Sequence, residues 1–232
     1  MALRLDQFIA NSSGLSRKEA KHAIAGGRVR VGNDVCKGAS TKVAPDANVC
    51  LDDQPLSLPG ERYLMLHKPA GVVSATRDSD HPTALDLLPS ALVRNLHVAG
   101  RLDIDTTGLL LLSTDGQWSH RITSPRVDCP KTYRVTLAEP LTDQAARNLE
   151  SGVQLRQDPT PTRPAGVHRV ADRVIELTLS EGRYHQVKRM LAAVGNHVEA
   201  LHRERIGNIR LDPTLAPGAW RPLSRQEIDS VW

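Results

Sequence analysis

Hydrophobic and polar positions follow two different periods along the chain, and the change divides it into a short helical part and a longer strand-rich part. Apolar residues recur at helical spacing over residues 5–9, which predicts a short amphipathic helix. Ser16 and Glu19 form a capping-box pattern, in which each side chain can accept a hydrogen bond from the other residue's backbone N–H. A second helix should begin there and end at Gly26 and Gly27, because glycine tolerates the left-handed closing conformation.

The first part continues with a strand and then loses its regular pattern. Residues 28–31 alternate basic and apolar side chains, which predicts a strand with one positive face, and residues 32–34 supply a turn. Residues 54–61 contain two prolines and one glycine and show no periodicity, so we interpret them as a connecting segment without regular structure. The sequence therefore predicts a small domain, a linker and a larger domain over residues 1–57, 58–61 and 62–232.

Short apolar or alternating runs separated by turn residues dominate the larger domain. They predict strands at residues 63–67, 108–113, 132–137, 173–180, 197–201 and 208–211. A turn is expected at 114–116, and helices are expected at 184–194 and after the capping-box pattern that begins at Ser224. Because strands dominate without alternating regularly with helices, we predict an α+β fold with a mixed, mostly antiparallel sheet flanked by helices.

Composition narrows the class of protein. Apolar residues make up 40% and charged residues 24% of the 232 residues, which is typical of a globular chain. The N-terminus lacks the apolar stretch of a signal peptide, and no apolar run approaches the ~20 residues that cross a bilayer. The three cysteines form no C-x-x-C pair, which argues against a disulfide framework or a zinc ribbon. We therefore expect a cytoplasmic protein with no membrane partner.

Positive charge is concentrated near the N-terminus. Residues 16–42 carry seven Lys and Arg against two Asp and Glu, a net charge of +5, whereas the whole chain has +4. The seven basic residues are Arg17, Lys18, Lys21, Arg28, Arg30, Lys37 and Lys42. A cluster of this kind favours a polyanionic partner such as a nucleic acid.

Three stretches of the larger domain contain residues suited to chemistry or to nucleic-acid binding. In the first, Asp103 and Asp105 lie in a polar loop directly before a strand that is too apolar for the surface, although a simple Asx turn would have the same sequence. In the second, Tyr133 lies between Lys131 and Arg134. It could stack on a nucleobase, for ~1–3 kcal/mol, or be a partly buried core tyrosine.

The third stretch places two cations at the start of a helix. Lys188 and Arg189 lie beside a buried apolar stripe near the N-terminus of the helix predicted at 184–194. The helix dipole slightly disfavours cations at that end. A functional role would explain their position, and a solvated basic face remains the alternative.

Together these stretches resemble the three sequence motifs of the pseudouridine synthases, most closely those of the RsuA/RluB/RluE/RluF branch. Gly-Arg-Leu-Asp-x-x-Thr-x-Gly-Leu occurs at 100–109, Lys-x-Tyr-x-Val at 131–135, and Glu-Gly-x-x-x-Gln-Val-Lys-Arg-Met at 181–190. Residues 1–57 are similar to the S4-type RNA-binding domain of this branch. Other branches have arginine where this chain has Lys188, so a bidentate contact is not available at that position.

The resemblance implies catalytic roles for three residues. Asp103 matches the aspartate that acts as nucleophile or base in severing the bond between ribose and uracil, by a covalent or a glycal path. Lys188 matches its basic partner, and a cation within ~4–6 Å lowers an aspartate pKa that burial would raise. Tyr133 matches the tyrosine that stacks on the flipped target base. The reaction the family catalyses uses no cofactor and no metal.

The resemblance also implies how RNA is bound. Arg101 would fill the gap left by the flipped nucleotide or contact a phosphate. The other expected RNA contacts are Arg17, Lys18, Lys21, Arg28, Arg30, Arg183 and Arg189. The implied substrate is a uridine of small-subunit (16S) ribosomal RNA, in a partly assembled small-subunit particle, and the implied enzyme is a monomer.

Four other functions remain open from the sequence. Large-subunit ribosomal RNA could be the substrate instead, or the chain could be a non-catalytic S4-domain assembly factor. A hydrolase using Asp103 with Asp105 is disfavoured, because two residues in one loop do not define a carboxylate separation. A metal enzyme is disfavoured because the nine histidines show no His-x-x-x-His or Glu-x-x-His spacing.

Overall fold

The computed structural model describes residues 2–231 and divides the chain into two compact units, Met1–Gly60 and Glu61–Trp232. Within residues 2–231 no helix is long and apolar enough to cross a membrane. Each unit has its own hydrophobic core.

The first unit packs two helices against short strands. The helices are α1 (Leu5–Ser12) and α2 (Arg17–Ala25). The strands are β1 (Leu3–Arg4), β2 (Val29–Val31), β3 (Asp34–Val35), β4 (Lys42–Val43), β5 (Val49–Leu51) and β6 (Gln54–Leu56). Strands β3, β2, β5 and β6 form one antiparallel sheet in that order, and β1 pairs with β4.

Both predicted helices of this unit are confirmed. The capping box of α2 is complete, since Ser16 accepts from the Glu19 N–H and the Glu19 carboxylate accepts from the Ser16 N–H. Helix α1 buries Phe8 and Ile9 completely. Gly27 follows α2 with φ +72°, the left-handed conformation expected at a helix end.

The prediction that residues 54–61 lack regular structure is wrong at its beginning. Gln54–Leu56 forms strand β6, in which Pro55 lies opposite Cys50. Strand β6 is the outer strand of its sheet. An edge strand tolerates proline because one side of it needs no N–H donor.

The second unit is built around a larger sheet. Its strands are β7 (Tyr63–Lys68), β8 (His97–Ala99), β9 (Thr107–Ser113), β10 (Lys131–Leu137), β11 (Gly166–Ala171), β12 (Val174–Leu179), β13 (Val198–Ile206), β14 (Ile209–Arg210) and β15 (Trp220–Pro222). Its helices are a 3₁₀ turn (Ala84–Leu87), α3 (Ser90–Val93), α4 (Gly116–Thr123), α5 (Asp143–Ser151), α6 (Gln186–Ala193) and α7 (Arg225–Asp229).

The large sheet confirms the predicted α+β class. Within the part of the chain described, nine strands join with the central order β11-β12-β10-β13-β9-β7-β15. Every pairing is antiparallel except that of β13 with β9. Strand β9 lies inside the sheet, and Leu109, Leu110, Leu111 and Leu112 are fully buried because both faces of the sheet are covered there.

Three local predictions in this unit need correction. The turn expected at 114–116 is the start of α4, where the Asp115 side chain accepts from two backbone N–H groups and caps the helix. Helix α6 begins at Gln186, two residues later than predicted. The strand expected at 197–201 continues to Ile206, because β13 pairs with β10 along its whole length.

Candidate active site

The loop between β8 and β9 carries Asp103, and its backbone is fixed from several sides. Ser74 both accepts from the Leu102 N–H at 3.0 Å and donates to the Leu102 carbonyl at 2.9 Å. The Ile104 carbonyl accepts from the Gly71 N–H at 2.8 Å and from Lys68 Nζ at 3.3 Å. Both neighbours of Asp103 are therefore held, which gives its carboxylate a defined position.

Arg203 supports the same loop from beneath and was not identified from the sequence. Its side chain is 2% exposed and donates to the carbonyls of Leu109, Arg101 and Gly100 at 2.9, 3.2 and 2.9 Å. Arg203 lies in a run of four polar or charged residues in β13, His202 to Arg205, so no local pattern distinguishes this buried arginine from its neighbours.

The close approach of β9 to β13 explains one glycine of the first motif. Gly108 has φ +106°, and a Cβ at that position would lie 2.3 Å from the Arg203 carbonyl oxygen. Any larger residue would push the two strands apart, and with them the loop that Arg203 holds.

The structure brings Lys188 to Asp103, as the motifs predict. Lys188 Nζ lies 3.7 Å from Asp103 Oδ2, and His185 Nε2 lies 3.5 Å from Asp103 Oδ1. Lys188 belongs to the first turns of α6, whereas His185 is the residue before that helix and has φ +47°. The side chain of Asp103 keeps 29% of its surface exposed, so a substrate can reach it.

Lys188 has a second and closer carboxylate partner that the sequence did not assign to it. Its Nζ donates to both oxygens of Asp105 at 2.7 Å. This hydrogen bond lowers the pKa of the Asp105 carboxyl, against the opposing effect of partial burial. Lys188 is therefore shared between two carboxylates, and Asp105 fixes its position beside Asp103.

A buried lysine lies behind the loop. Lys68 is fully buried at the end of β7 and also donates to the Pro69 carbonyl at 2.8 Å. Burial lowers the pKa of Lys68 to about 8, nearby Asp105 and Asp103 act in the opposite direction, and Arg203 adds to the lowering. A role for this lysine was not predicted from the sequence.

Tyr133 lies on β10 directly opposite Arg203 on β13. The Arg203 guanidinium carbon is 5.9 Å from the centre of the Tyr133 ring, a cation–π distance. The ring also packs against two of the hydrophobic clusters. Tyr133 is thus partly a core residue, and through Arg203 it belongs to the support of the Asp103 loop.

The other predicted RNA contacts of this unit fall into two groups. Arg101 is exposed, and its side chain makes no hydrogen bond or ion pair to any residue from 2 to 231. Arg183 and Arg189 both pair with Asp158, at 3.2 and 2.9 Å, and both also donate to backbone carbonyls. The Arg101 guanidinium is therefore exposed and unpaired among these residues, whereas Arg183 and Arg189 hold the segment before α6 in place.

The basic residues of the first unit are partly neutralised by acids from outside the basic stretch. Arg17 pairs with buried Asp6 at 3.5 Å, and Arg28 donates to Asp52, with its Nε at 2.8 Å. Arg30 donates to the Asn33 carbonyl and lies 3.7 Å from Asp53. Lys18 and Lys21 are exposed and have no hydrogen-bonding or ionic partner among the described residues.

Comparison with known proteins places this site in a family. The profile of the RNA pseudouridylate synthase family matches residues 62–193, and that of the S4 domain matches residues 3–49. The chain belongs to the RNA pseudouridylate synthase family, whose members are isomerases, and it carries an S4 domain at its N-terminus.

Two curated relatives and one solved structure align over nearly the whole chain. The Ribosomal small subunit pseudouridine synthase A of Escherichia coli (strain K12) is 54% identical over 230 residues, covering 99% of this chain and 100% of the relative. The protein of the same name from Vibrio parahaemolyticus is 49% identical over 232 residues, with 99% and 100% coverage. A crystal structure of a pseudouridylate synthase superposes with a TM-score of 0.73 at 44% identity, covering 99% of this chain and 100% of that one.

Proposed function

We propose that this enzyme converts one uridine of small-subunit (16S) ribosomal RNA to pseudouridine, with Asp103 as the reacting carboxylate. Support for the substrate comes from relatives named for the small ribosomal subunit that match over their full length. The enzyme would act as a monomer in the cytoplasm, on a partly assembled small-subunit particle. Residues 1–57 would bind RNA and residues 62–232 would carry the reaction.

The observation that carries the proposal is the convergence of two motifs on one carboxylate. Asp103 and Lys188 are 85 positions apart in the chain, yet Lys188 Nζ lies 3.7 Å from Asp103 Oδ2. Asp105 holds the lysine, and Ser74 and Arg203 hold the loop. A fixed carboxylate beside a fixed cation at an open position is what an ionised nucleophile or base requires.

The proposed reaction balances without a cofactor. The bond between uracil N1 and ribose C1′ breaks, the bond between C5 and C1′ forms, C5 loses its proton and N1 gains one. Asp103 would attack C1′, or remove a ribose proton on the glycal path, and Lys188 would stabilise its negative charge. The target nucleotide would leave its stack to reach Asp103, at a cost of a few kcal/mol. Tyr133 would stack on the flipped base.

Positively charged side chains would hold the RNA around this site. Arg101 is the strongest candidate in the second unit, because its guanidinium has no partner within residues 2–231. Arg183 and Arg189 would contribute to RNA binding by fixing the segment before α6. Guanidinium N–H groups that are not used within the protein would contact the RNA. Arg17, Lys18, Lys21, Arg28 and Arg30 would contact phosphates, which position the enzyme without selecting the base.

The test maps pseudouridine in ribosomal RNA from cells with and without the gene, by carbodiimide-dependent reverse-transcription stops. We expect one stop in small-subunit RNA to disappear on deletion and to return with the wild-type gene. It should not return with Asp103→Asn, which removes the charge and preserves the shape of the side chain. Asp105→Asn serves as the matched control in the same loop and should restore the stop.

The other outcomes discriminate between the alternatives. A stop lost from large-subunit RNA would show that the substrate is wrong and the reaction right. No change in either RNA would support a non-catalytic assembly factor, as would full restoration of ribosome assembly by Asp103→Asn. Normal modification by Asp103→Asn would show that another residue is the nucleophile.

A further inference from the structure

Tyr184 is an aromatic side chain that belongs to none of the hydrophobic clusters of the described residues. The chain has only seven aromatic residues, and the Tyr184 side chain is 77% exposed, the highest value among the large apolar residues described. The other two tyrosines both make contacts within the fold. Tyr63 donates to Asp115 and packs edge-on against Trp118, and Tyr133 packs into the core. An exposed aromatic ring near Asp103 points to a role in binding.

The Tyr184 ring is held in place although it is exposed. It stacks on the His185 imidazole, with ring centres 3.8 Å apart and planes inclined by 20°. The Tyr184 carbonyl accepts from Arg189 Nη1 at 3.2 Å. The preceding residue, Arg183, donates to Glu181, to Asp158 and to two carbonyls. The ring therefore projects from a fixed segment.

His185 connects this ring to the reaction site. Its Nε2 lies 3.5 Å from Asp103 Oδ1, while its ring face supports Tyr184. The backbone of His185 has φ +47° and ψ +37°, a left-handed conformation that costs a residue other than glycine free energy. The outer face of Tyr184 lies one imidazole beyond the catalytic carboxylate.

We infer that Tyr184 is a stacking platform for an unpaired nucleobase adjacent to the target uridine. This inference rests on the proposed function and adds the side chain that would select or hold the neighbouring nucleotide. The inner face of the ring is covered by His185, and no other ring within residues 2–231 packs against it. A base on the outer face would extend a stack that begins beside Asp103. Every base has such a face, so the contact supplies position more than sequence preference.

The platform is distinct from the site of the reacting base. The target uracil would meet Asp103 and Tyr133, whereas Tyr184 would take the nucleotide next to it. A flipped nucleotide leaves its neighbours partly unstacked, and an aromatic ring that replaces a lost stacking partner offsets that cost. Tyr184 is thus a positioning residue, and its removal should weaken substrate binding more than turnover.

The test compares Tyr184→Ala, Tyr184→Leu and Tyr184→Phe in pseudouridine formation on a small-subunit RNA substrate. We expect Tyr184→Ala to raise KM about tenfold, the factor given by ~1.4 kcal/mol of lost stacking, with kcat changed less than about threefold. Tyr184→Leu keeps an apolar side chain without a ring and should resemble Ala, whereas Tyr184→Phe should restore wild-type KM. An equal thermal midpoint for all four proteins would show that the fold is unaffected.

A second set of substrates identifies the base. Single abasic nucleotides are introduced at each position flanking the target uridine. At the position that stacks on Tyr184, the abasic substrate should raise wild-type KM and make wild type and Tyr184→Ala equal. If Tyr184→Ala has wild-type KM on intact RNA, or if its defect is the same with every abasic substrate, the platform does not exist. If the wild-type enzyme modifies no small-subunit RNA, the proposed substrate fails instead.

Discussion

The two units of this enzyme have the same net charge, but among the described residues only the second unit buries any of its cations. The first 60 residues contain eight Lys and Arg and six Asp and Glu, and the remainder contains 22 and 20, so each unit carries +2. In the first unit the cations are exposed, and the arginines pair with carboxylates. In the second unit Arg203 and Lys68 are buried next to the loop that carries Asp103, and they donate only to backbone carbonyls.

Since the net charge is equal, the two units differ in whether their cations are exposed or buried. Exposed cations attract phosphate, but salt screens them and each contributes little to stability. A buried cation without a carboxylate partner is costly unless hydrogen bonds satisfy it, and Arg203 makes three. Such a group fixes the backbone on the N-terminal side of Asp103 and keeps a positive charge in the interior of the unit.

The largest effect is expected from Arg203→Met. The substitution leaves the carbonyls of Gly100, Arg101 and Leu109 without their donor, and each buried unsatisfied group costs ~1–3 kcal/mol. We expect the free energy of unfolding, measured in urea, to fall by about 4 kcal/mol, and kcat to fall with it. The control is Arg210→Met on the adjacent strand, where the side chain is exposed. A similar loss in both variants would remove the distinction between buried and exposed arginines.

The next effect concerns the lysine shared by two carboxylates. Lys188→Met should lower kcat about 10²-fold, the usual consequence of removing one preorganised charged donor from a reaction site. Asp105→Asn should lower it less than about tenfold, because the asparagine amide oxygen can still accept a hydrogen bond from Lys188 and hold it beside Asp103. Single-turnover rates on saturating RNA measure both. A larger loss for Asp105→Asn would mean that the Lys188–Asp105 pair, and not the Lys188–Asp103 pair, is the functional unit.

The roles of Arg203 and Asp105 could not have been predicted from the sequence, although the Lys188–Asp103 pair and much of the fold could. The capping boxes at Ser16 and Ser224 define helix starts through contacts between residues three positions apart. The consecutive leucines of β9 predict a buried strand. Asp115 and Gly116 suit a turn as well as a helix start. The outcome is decided by the burial of Trp118 and Ile122, which is a tertiary effect.

The candidate site, too, could be predicted only in part. The motifs predicted that Asp103 and Lys188 would meet, and the structure brings them within 3.7 Å. The support of the loop depends on Ser74, Lys68 and Arg203, whose contacts span 28 to 103 positions of sequence and follow no local pattern. The charge of residues 16–42 is partly compensated by Asp6, Asp52 and Asp53, which lie outside that stretch and are missed when charge is counted locally.

A smaller effect follows from the buried lysine. The pKa of Lys68 is about 8 in the folded protein and near 10.5 when the chain is unfolded, so between these values the unfolded chain binds more protons. Stability contributed by this group must therefore rise with pH over that range. From pH 7 to pH 9 the gain is about 1 kcal/mol.

The gain is measured as a difference between two proteins. Unfolding free energies of wild type and Lys68→Met are followed from pH 7 to pH 9, and groups common to both, including the partly buried Lys131, cancel. We expect the wild type to gain relative to the variant. An exposed control, Lys18→Met, should follow the wild type throughout. A constant difference between wild type and Lys68→Met would show that Lys68 keeps its ordinary pKa and is reached by water.

The smallest effect separates the exposed lysines from the paired arginines of the first unit. Each phosphate contact adds about 0.7–0.9 to the slope of log affinity against log salt, depending on whether the RNA is single-stranded or duplex. The double variant Lys18→Gln/Lys21→Gln should therefore reduce the slope by about 1.5, since both ammonium groups lack partners among residues 2–231.

The matched variant Arg28→Gln/Arg30→Gln removes the same charge. It should change the slope less, because Asp52 and Asp53 already compensate these arginines and are released when the arginines are lost. Filter binding over a salt series measures both, and equal slopes would mean that RNA displaces the carboxylates and that all four residues contact phosphate.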